Sequence, residues 1–313
     1  MQKIIAIVGP TASGKTALSV ALAKHFNAEI ISADSMQIYR EMNIGTAKPS
    51  MEERQDVPHH LMGHISVEDS YNVATYVKEA RLILENMERR DILPIFCGGT
   101  GLYLDHLLSN TDFFDIPFDA SVREKYEMMV AENGNSFIYE LLTEQDPALA
   151  EKLHPNDAKR VIRGLEVLDM TGRRLSELQL ESQGERRFNV LYIGLNYKDR
   201  SLLYDRINRR VDLMVEQGLI SEVRELKESL SLSDTARAAI GYKELLDCME
   251  DDLYLDDAIQ LIKQKSRNYA KRQQTWFGRN KDIHWFYRDE MSDESILRTS
   301  IELAEGFLKG ENE

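Results

Sequence analysis

Cysteine is scarce. The 313 residues hold two, Cys97 and Cys248, too far apart for a metal-binding or disulfide spacing, and they read as buried, reduced thiols. Proline is nearly as rare, at 7 residues, and no Pro-rich or low-complexity linker divides the chain. No apolar run approaches the roughly 20 residues that a membrane span needs. The longest ones, KIIAIVG and ILPIFC, are strand-sized. A strand begins by residue 3, which leaves no room ahead of it for a signal peptide. A cytoplasmic protein with no membrane partner is therefore expected. Positive charge is in deficit as well: 39 Lys and Arg face 53 Asp and Glu, a net charge of −14, which taken whole disfavours an anionic partner. The deficit is uneven, however. Residues 263–281 carry seven basic side chains and no acid, whereas residues 243–257 carry seven acids and one base. Phosphate contact needs local positive charge, not net positive charge. The stripe at 263–281 is thus a candidate nucleic-acid surface, with a solvated helix face as the plainer reading.

Against those absences stands a regular alternation. Strand-like runs at residues 3–8, 29–33 and 92–97 alternate with helical patterns at 15–26, 71–90 and from 101 onward. In the 71–90 segment, Val73, Tyr76, Val77, Ala80, Ile83, Leu84 and Met87 recur with the helical period. Short β-branched strands alternating with helices predict an α/β fold with a parallel sheet covered on both faces. The rhythm stops near Pro117. From 120 to 187 only helical patterns occur, broken by turn signals such as Asn133-Gly134 and His154-Pro155, and strand character returns at 188–195. The domain organisation expected is a discontinuous core, 1–117 with 188–313, interrupted by an all-helical insertion at 118–187. Long helices at 200–216, 220–229 and 256–277, a last strand at 283–286 and a closing helix complete the core.

The strongest motif is GPTASGKT, residues 9–16, which satisfies G-x-x-x-x-G-K-[ST] between an apolar strand and a helix. Gly9, Pro10, Thr11, Ala12, Ser13 and Gly14 would curl so that successive N–H groups converge on phosphate oxygens. The helix that starts at Lys15 adds its positive end. Lys15 reaches the terminal phosphate, and the Thr16 hydroxyl is placed to ligate Mg²⁺. The fold expected is thus P-loop NTPase-like. A phosphate cradle does not fix the reaction, and a small-molecule or nucleotide kinase is the default for it. The strand at 92–97 runs into GGTGLY without ending in an acid, whereas IISADS ends in Asp34. Both ends should open on the same sheet edge as the P-loop, which would gather a cradle, a carboxylate and a Gly-rich turn carrying Thr100. On its own, the DS sequence at Asp34 also suits a turn, and Thr100 also suits an N-cap.

At these residues the chain closely resembles the tRNA dimethylallyltransferases, or tRNA isopentenyltransferases. The resemblance is collinear and spans nearly the whole sequence: GPTASGKT, then ISADSMQIYREMNIGTAKPS, GGTGLY, HPND, KRVIRGLEV, the pair Arg206 and Arg210 ahead of GLISEV, AIGYKE, and YAKRQQTWF. Two departures are visible. Gly278 stands directly after Trp-Phe, where the family commonly has Arg, and no Cys/His tail follows. The resemblance implies attack by an adenosine exocyclic amine, next to the tRNA anticodon, on C1 of dimethylallyl diphosphate. Residues 9–16 with Arg210 would grip the departing diphosphate, with Mg²⁺ at Thr16. Asp34 would be the general base, and Thr100 would bond the adenine or a phosphate oxygen. For tRNA it implies Asp34, Ser35, Met36, Gln37 and Thr100 around the incoming base. It also implies Arg123, Lys159, Arg160, Val161, Ile162 and Arg163 on the insertion, with Lys271, Arg272, Gln273 and Trp276 on the basic stripe. A monomer is expected. The rivals are the P-loop kinase and a prenyltransferase acting on free adenine nucleotides. An RNA-binding GTPase-like switch would need an N-K-x-D motif, which the chain lacks.

Overall fold

In the computed structural model the described residues are 1–108, 119–181, 187–250 and 254–310. Six strands form one sheet among them: β1 (Gln2–Val8), β2 (Glu29–Ser32), β3 (His59–His60), β4 (Pro94–Cys97), β5 (Phe188–Asn196) and β6 (Ile283–Tyr287). Their order is β3-β2-β4-β1-β5-β6, and every pairing is parallel. The period-2 geometry of a strand explains why β1 is apolar throughout. Ile4, Ala6 and Val8 face one core, while Ile5 and Ile7 face the other, all with no exposed surface. β3 escapes sequence reading because two histidines at a sheet edge carry no periodicity.

Each core is roofed by helices. On one face, Lys15–Phe26 and Asp293–Lys309 contribute Leu18, Leu22, Ile296 and Phe307. On the other, Val73–Arg89 and Gly101–Leu108 contribute Tyr76, Leu84, Tyr103 and Leu107. Tyr76 is buried between them: its ring stacks on Tyr103 at 4.1 Å and its hydroxyl donates to the Ser32 carbonyl at 3.0 Å. The sheet therefore holds the start of the Asp34 turn directly. At the carboxyl edge, Ala33 N–H donates to Cys97 O at 2.9 Å and Gly98 N–H to Ile7 O at 3.2 Å. Three strand ends are thus sewn side by side.

The chain divides into two compact units, residues 1–108 with 187–313, and residues 109–186. The regular structure of the second unit is all helical among its described residues, with Ala120–Asn133, Asn135–Gln145, Pro147–Ala150, Ala158–Thr171 and Leu175–Glu181 around Tyr126, Ile138, Leu142, Val161 and Leu165. Asp146, 1 % exposed, ties it together by accepting from Leu149 N–H and Ser176 N–H at 3.1 and 3.0 Å. The insertion start expected at 118 lies outside the described residues.

Candidate active site

The loop after β1 turns sharply at Gly9, φ +138°, where a Cβ would stand 2.2 Å from the Leu195 carbonyl oxygen of β5. Glycine is required there by the close approach of backbone. The turn then feeds the helix Lys15–Phe26, whose free N–H groups and positive end face the cavity. Side chains from distant elements pin the loop from outside. Arg206 Nε donates to Ala12 O at 3.1 Å, and Arg288 Nη1 donates to Ser13 O at 3.1 Å. Gln273 accepts the Thr11 N–H at 2.8 Å. Lys15 Nζ donates to Pro10 O at 2.7 Å. Burial pushes the Lys15 ammonium down to about 8; Cys97 opposes that shift, Arg210 adds to it and Asp34 opposes it.

A large, mainly open cavity spreads from this loop and is lined by Lys15, Thr16, Asp34, Gly99, Arg206 and Arg210, among others. Arg210 reaches the Thr11 hydroxyl and the Ala47 carbonyl, both at 3.5 Å. Burial lowers its pKa, against the raising effect of Asp34. A second cavity of about 280 Å³ adjoins the first. Thr11, Asp34, Arg210 and Tyr269 line both, but the remaining walls of the second are mostly apolar, with Met36, Ile207, Val211, Leu219, Ala239 and Ile262.

Asp34 sits where the two cavities meet. Its Oδ1 accepts from Met36 N–H at 2.9 Å and Gln37 N–H at 3.3 Å, so the turn role is real and coexists with a place at the site. Thr100 Oγ1 accepts from Ser35 N–H at 3.1 Å, and Thr100 N–H donates to Ala33 O at 3.0 Å, which joins the two strand-end turns. Tyr269, which lines both cavities, has its phenol pushed up to about 12, by burial first and by Asp34 second, with Thr100 opposing. Gln37 Nε2 donates to Thr46 O and Ala47 O at 3.2 and 3.3 Å.

A carboxylate that sequence reasoning missed organises the loop carrying those carbonyls. Glu222 accepts from the N–H groups of Asn43, Ile44 and Gly45 at 2.9 to 3.2 Å and from the Tyr242 hydroxyl. Three motifs, IGTAKP, GLISEV and AIGYKE, therefore act as one support. Lys48 closes the loop by donating to Tyr39 O and Asn43 Oδ1 at 2.5 and 2.9 Å.

Among the described residues no group of three or more His, Cys, Asp or Glu could hold a metal ion. Thr16 and Asp34 line the same cavity, so Mg²⁺ there would take its oxygens from few side chains and mainly from phosphate, as its protein sites commonly do.

The residues expected at tRNA are placed unevenly. On the basic helix Leu255–Phe277, Lys271 and Arg272 are exposed, and Arg272 lies 5.5 Å over the Tyr269 ring. Trp276 donates to Asp105 at 2.9 Å, and Arg279 covers its ring at 5.5 Å. Gln273 is 4 % exposed. In the helical unit, Lys159 and Arg160 are exposed. Val161 and Ile162 are buried in that unit's core, where no side-chain contact with a ligand is open to them. Arg123 and Arg163 both reach the buried Glu166, at 2.6 and 3.4 Å.

The model of the IPP transferase family matches residues 37–281. A tRNA dimethylallyltransferase of Carboxydothermus hydrogenoformans is 46% identical over 301 residues, 96% of each chain. The crystal structure of a tRNA isopentenylpyrophosphate transferase from Bacillus halodurans is 40% identical, with a TM-score of 0.74 over 99% of this chain and 98% of that one. A eukaryotic dimethylallyltransferase acting on tRNA is 31% identical, with a TM-score of 0.81 over 99% of this chain and 80% of that one. A P-loop-like parallel sheet carrying this cradle, matched along its whole length by such relatives, leaves one assignment: the chain belongs to the IPP transferase family, the tRNA dimethylallyltransferases.

Proposed function

We propose that the chain transfers a dimethylallyl group from dimethylallyl diphosphate to the exocyclic amine of the adenosine next to the tRNA anticodon, releasing diphosphate. The observation that carries this reading is the junction, at Thr11, Asp34 and Arg210, of a cavity lined by the P-loop and its cations with a smaller one walled mostly by apolar side chains. An allylic diphosphate has one anionic end and one apolar end, and the C–O bond that breaks lies where they join. At about 280 Å³ the apolar cavity is at the low end for small-molecule pockets, which suits a five-carbon group.

The donor diphosphate lies in the cradle, where Lys15 and Arg210 interact more strongly as negative charge develops on the leaving oxygens. Arg210 can hold two oxygens at once, which a lysine cannot. Thr16, together with phosphate oxygens, would hold Mg²⁺, which neutralises charge on the leaving group. Asp34 takes the proton that the amine sheds. Thr100 and Tyr269, beside it, orient the incoming base. That base must leave the anticodon-loop stack to arrive. Lys271 and Arg272, with Lys159 and Arg160 on the inserted unit, meet the RNA backbone, and the protein works as a cytoplasmic monomer. Diphosphate release tests the reading. It should require both unmodified tRNA and the prenyl donor, and should not occur when AMP replaces tRNA. ADP formed from ATP and a small acceptor would favour the kinase instead.

A further inference from the structure

Gln273 lies on the basic helix among residues that point to RNA, yet its side chain does not face solvent. It is 4 % exposed, and both ends of its amide are used. Oε1 accepts the Thr11 N–H of the P-loop at 2.8 Å, and Nε2 donates to the Gly99 carbonyl of the Gly-rich turn at 3.0 Å. The two partners fix the amide's orientation, since an N–H demands an acceptor and a carbonyl demands a donor. The fit is tight, because a Cβ on Gly99 would stand 2.0 Å from Gln273 Nε2. Thr11 lines both cavities, and its hydroxyl is the group that Arg210 approaches.

We infer that Gln273 is a positioning residue for the prenyl diphosphate and not a tRNA contact. It clamps the first bend of the P-loop to the turn after β4, and so sets where Thr11 and Arg210 stand relative to the leaving group. This rests on the transfer reading for the identity of the donor, but the clamp itself does not depend on it. A glutamate cannot replace the amide while ionised. Its carboxylate would face the Gly99 carbonyl without a proton to donate, and would add negative charge beside the diphosphate. Once protonated it is a near-isostere of glutamine, with an O–H for Gly99.

The test compares Gln273→Met and Gln273→Glu with the unaltered protein, following donor KM, kcat, tRNA affinity and the affinity for inorganic diphosphate. Gln273→Met should raise the donor KM about tenfold by leaving both buried partners unpaired, and should weaken diphosphate by a similar factor with tRNA affinity within about twofold. Measured against the unaltered protein at the same pH, Gln273→Glu should lose more at about pH 8 than at about pH 6, because burial raises a carboxyl pKa; the loss in the Met variant, measured the same way, should not depend on pH. A donor KM that stays unchanged in both variants overturns the proposal, as does a loss of tRNA affinity with donor KM held. Should the unaltered protein fail to prenylate tRNA, the transfer reading falls, and the inorganic diphosphate measurement still decides the role of Gln273.

Discussion

Burial pushes the Lys15 ammonium down to about 8, and the nearby Arg210 works in the same direction. Free protein therefore loses this proton as pH rises through about 8, whereas bound diphosphate favours the charged form. Diphosphate affinity should fall above about pH 8, by at most about tenfold per pH unit for one proton. Binding there should also take up close to one proton. Calorimetry in buffers of different ionisation enthalpy measures that uptake, and zero uptake would remove Lys15 from the phosphate site. Asp34 permits an equally sharp experiment, because Asn keeps the acceptor for Met36 and Gln37 while abolishing the base. Asp34→Asn should lower kcat by about 10² or more with donor affinity nearly unchanged. If Asn supported near-normal turnover, Asp34 would be a turn residue only. The places of both side chains were legible in the sequence, because they follow from local context: a loop between strand and helix, and an acid at a strand end. Gln273 was not, since its partner Thr11 lies 262 positions away, and a polar residue within a basic stripe reads as surface.

Elements bring the remaining parts together. The loop at 43–48 has neither helix nor strand of its own, and a single carboxylate 177 to 179 residues downstream holds its N–H groups. Glu222→Ala should orphan those donors and cost about 2 kcal/mol of stability in urea unfolding. It should also raise the donor KM, since the Ala47 carbonyl contacts both Arg210 and Gln37. Stability lost without any change in KM would limit Glu222 to a structural role. Five of the six parallel strands were readable from apolar, strand-like runs, and the long helices from their 3.6-residue period. What period and propensity could not reveal was the cross-chain stitching at the sheet edge, because hydrogen bonds between sequence-distant turns leave no repeat.

At the scale of the whole molecule, an acidic protein of net charge −14 is proposed to hold a polyanion through a few exposed cations. Its tRNA affinity should then be strongly salt-dependent. Arg272→Ala should weaken binding across tRNAs and reduce the slope of log K against log salt by about one, a change that filter binding at several salt concentrations would detect. The central claim remains that residues 9–16 grip a departing diphosphate and not the tail of a nucleotide. Mass spectrometry of unmodified tRNA after incubation with the protein, Mg²⁺ and dimethylallyl diphosphate tests it most directly. The account predicts one dimethylallyl group gained on the nucleotide fragment containing the adenosine beside the anticodon, without ATP. A tRNA of unchanged mass, together with ATP turned over in the same cradle, would contradict it.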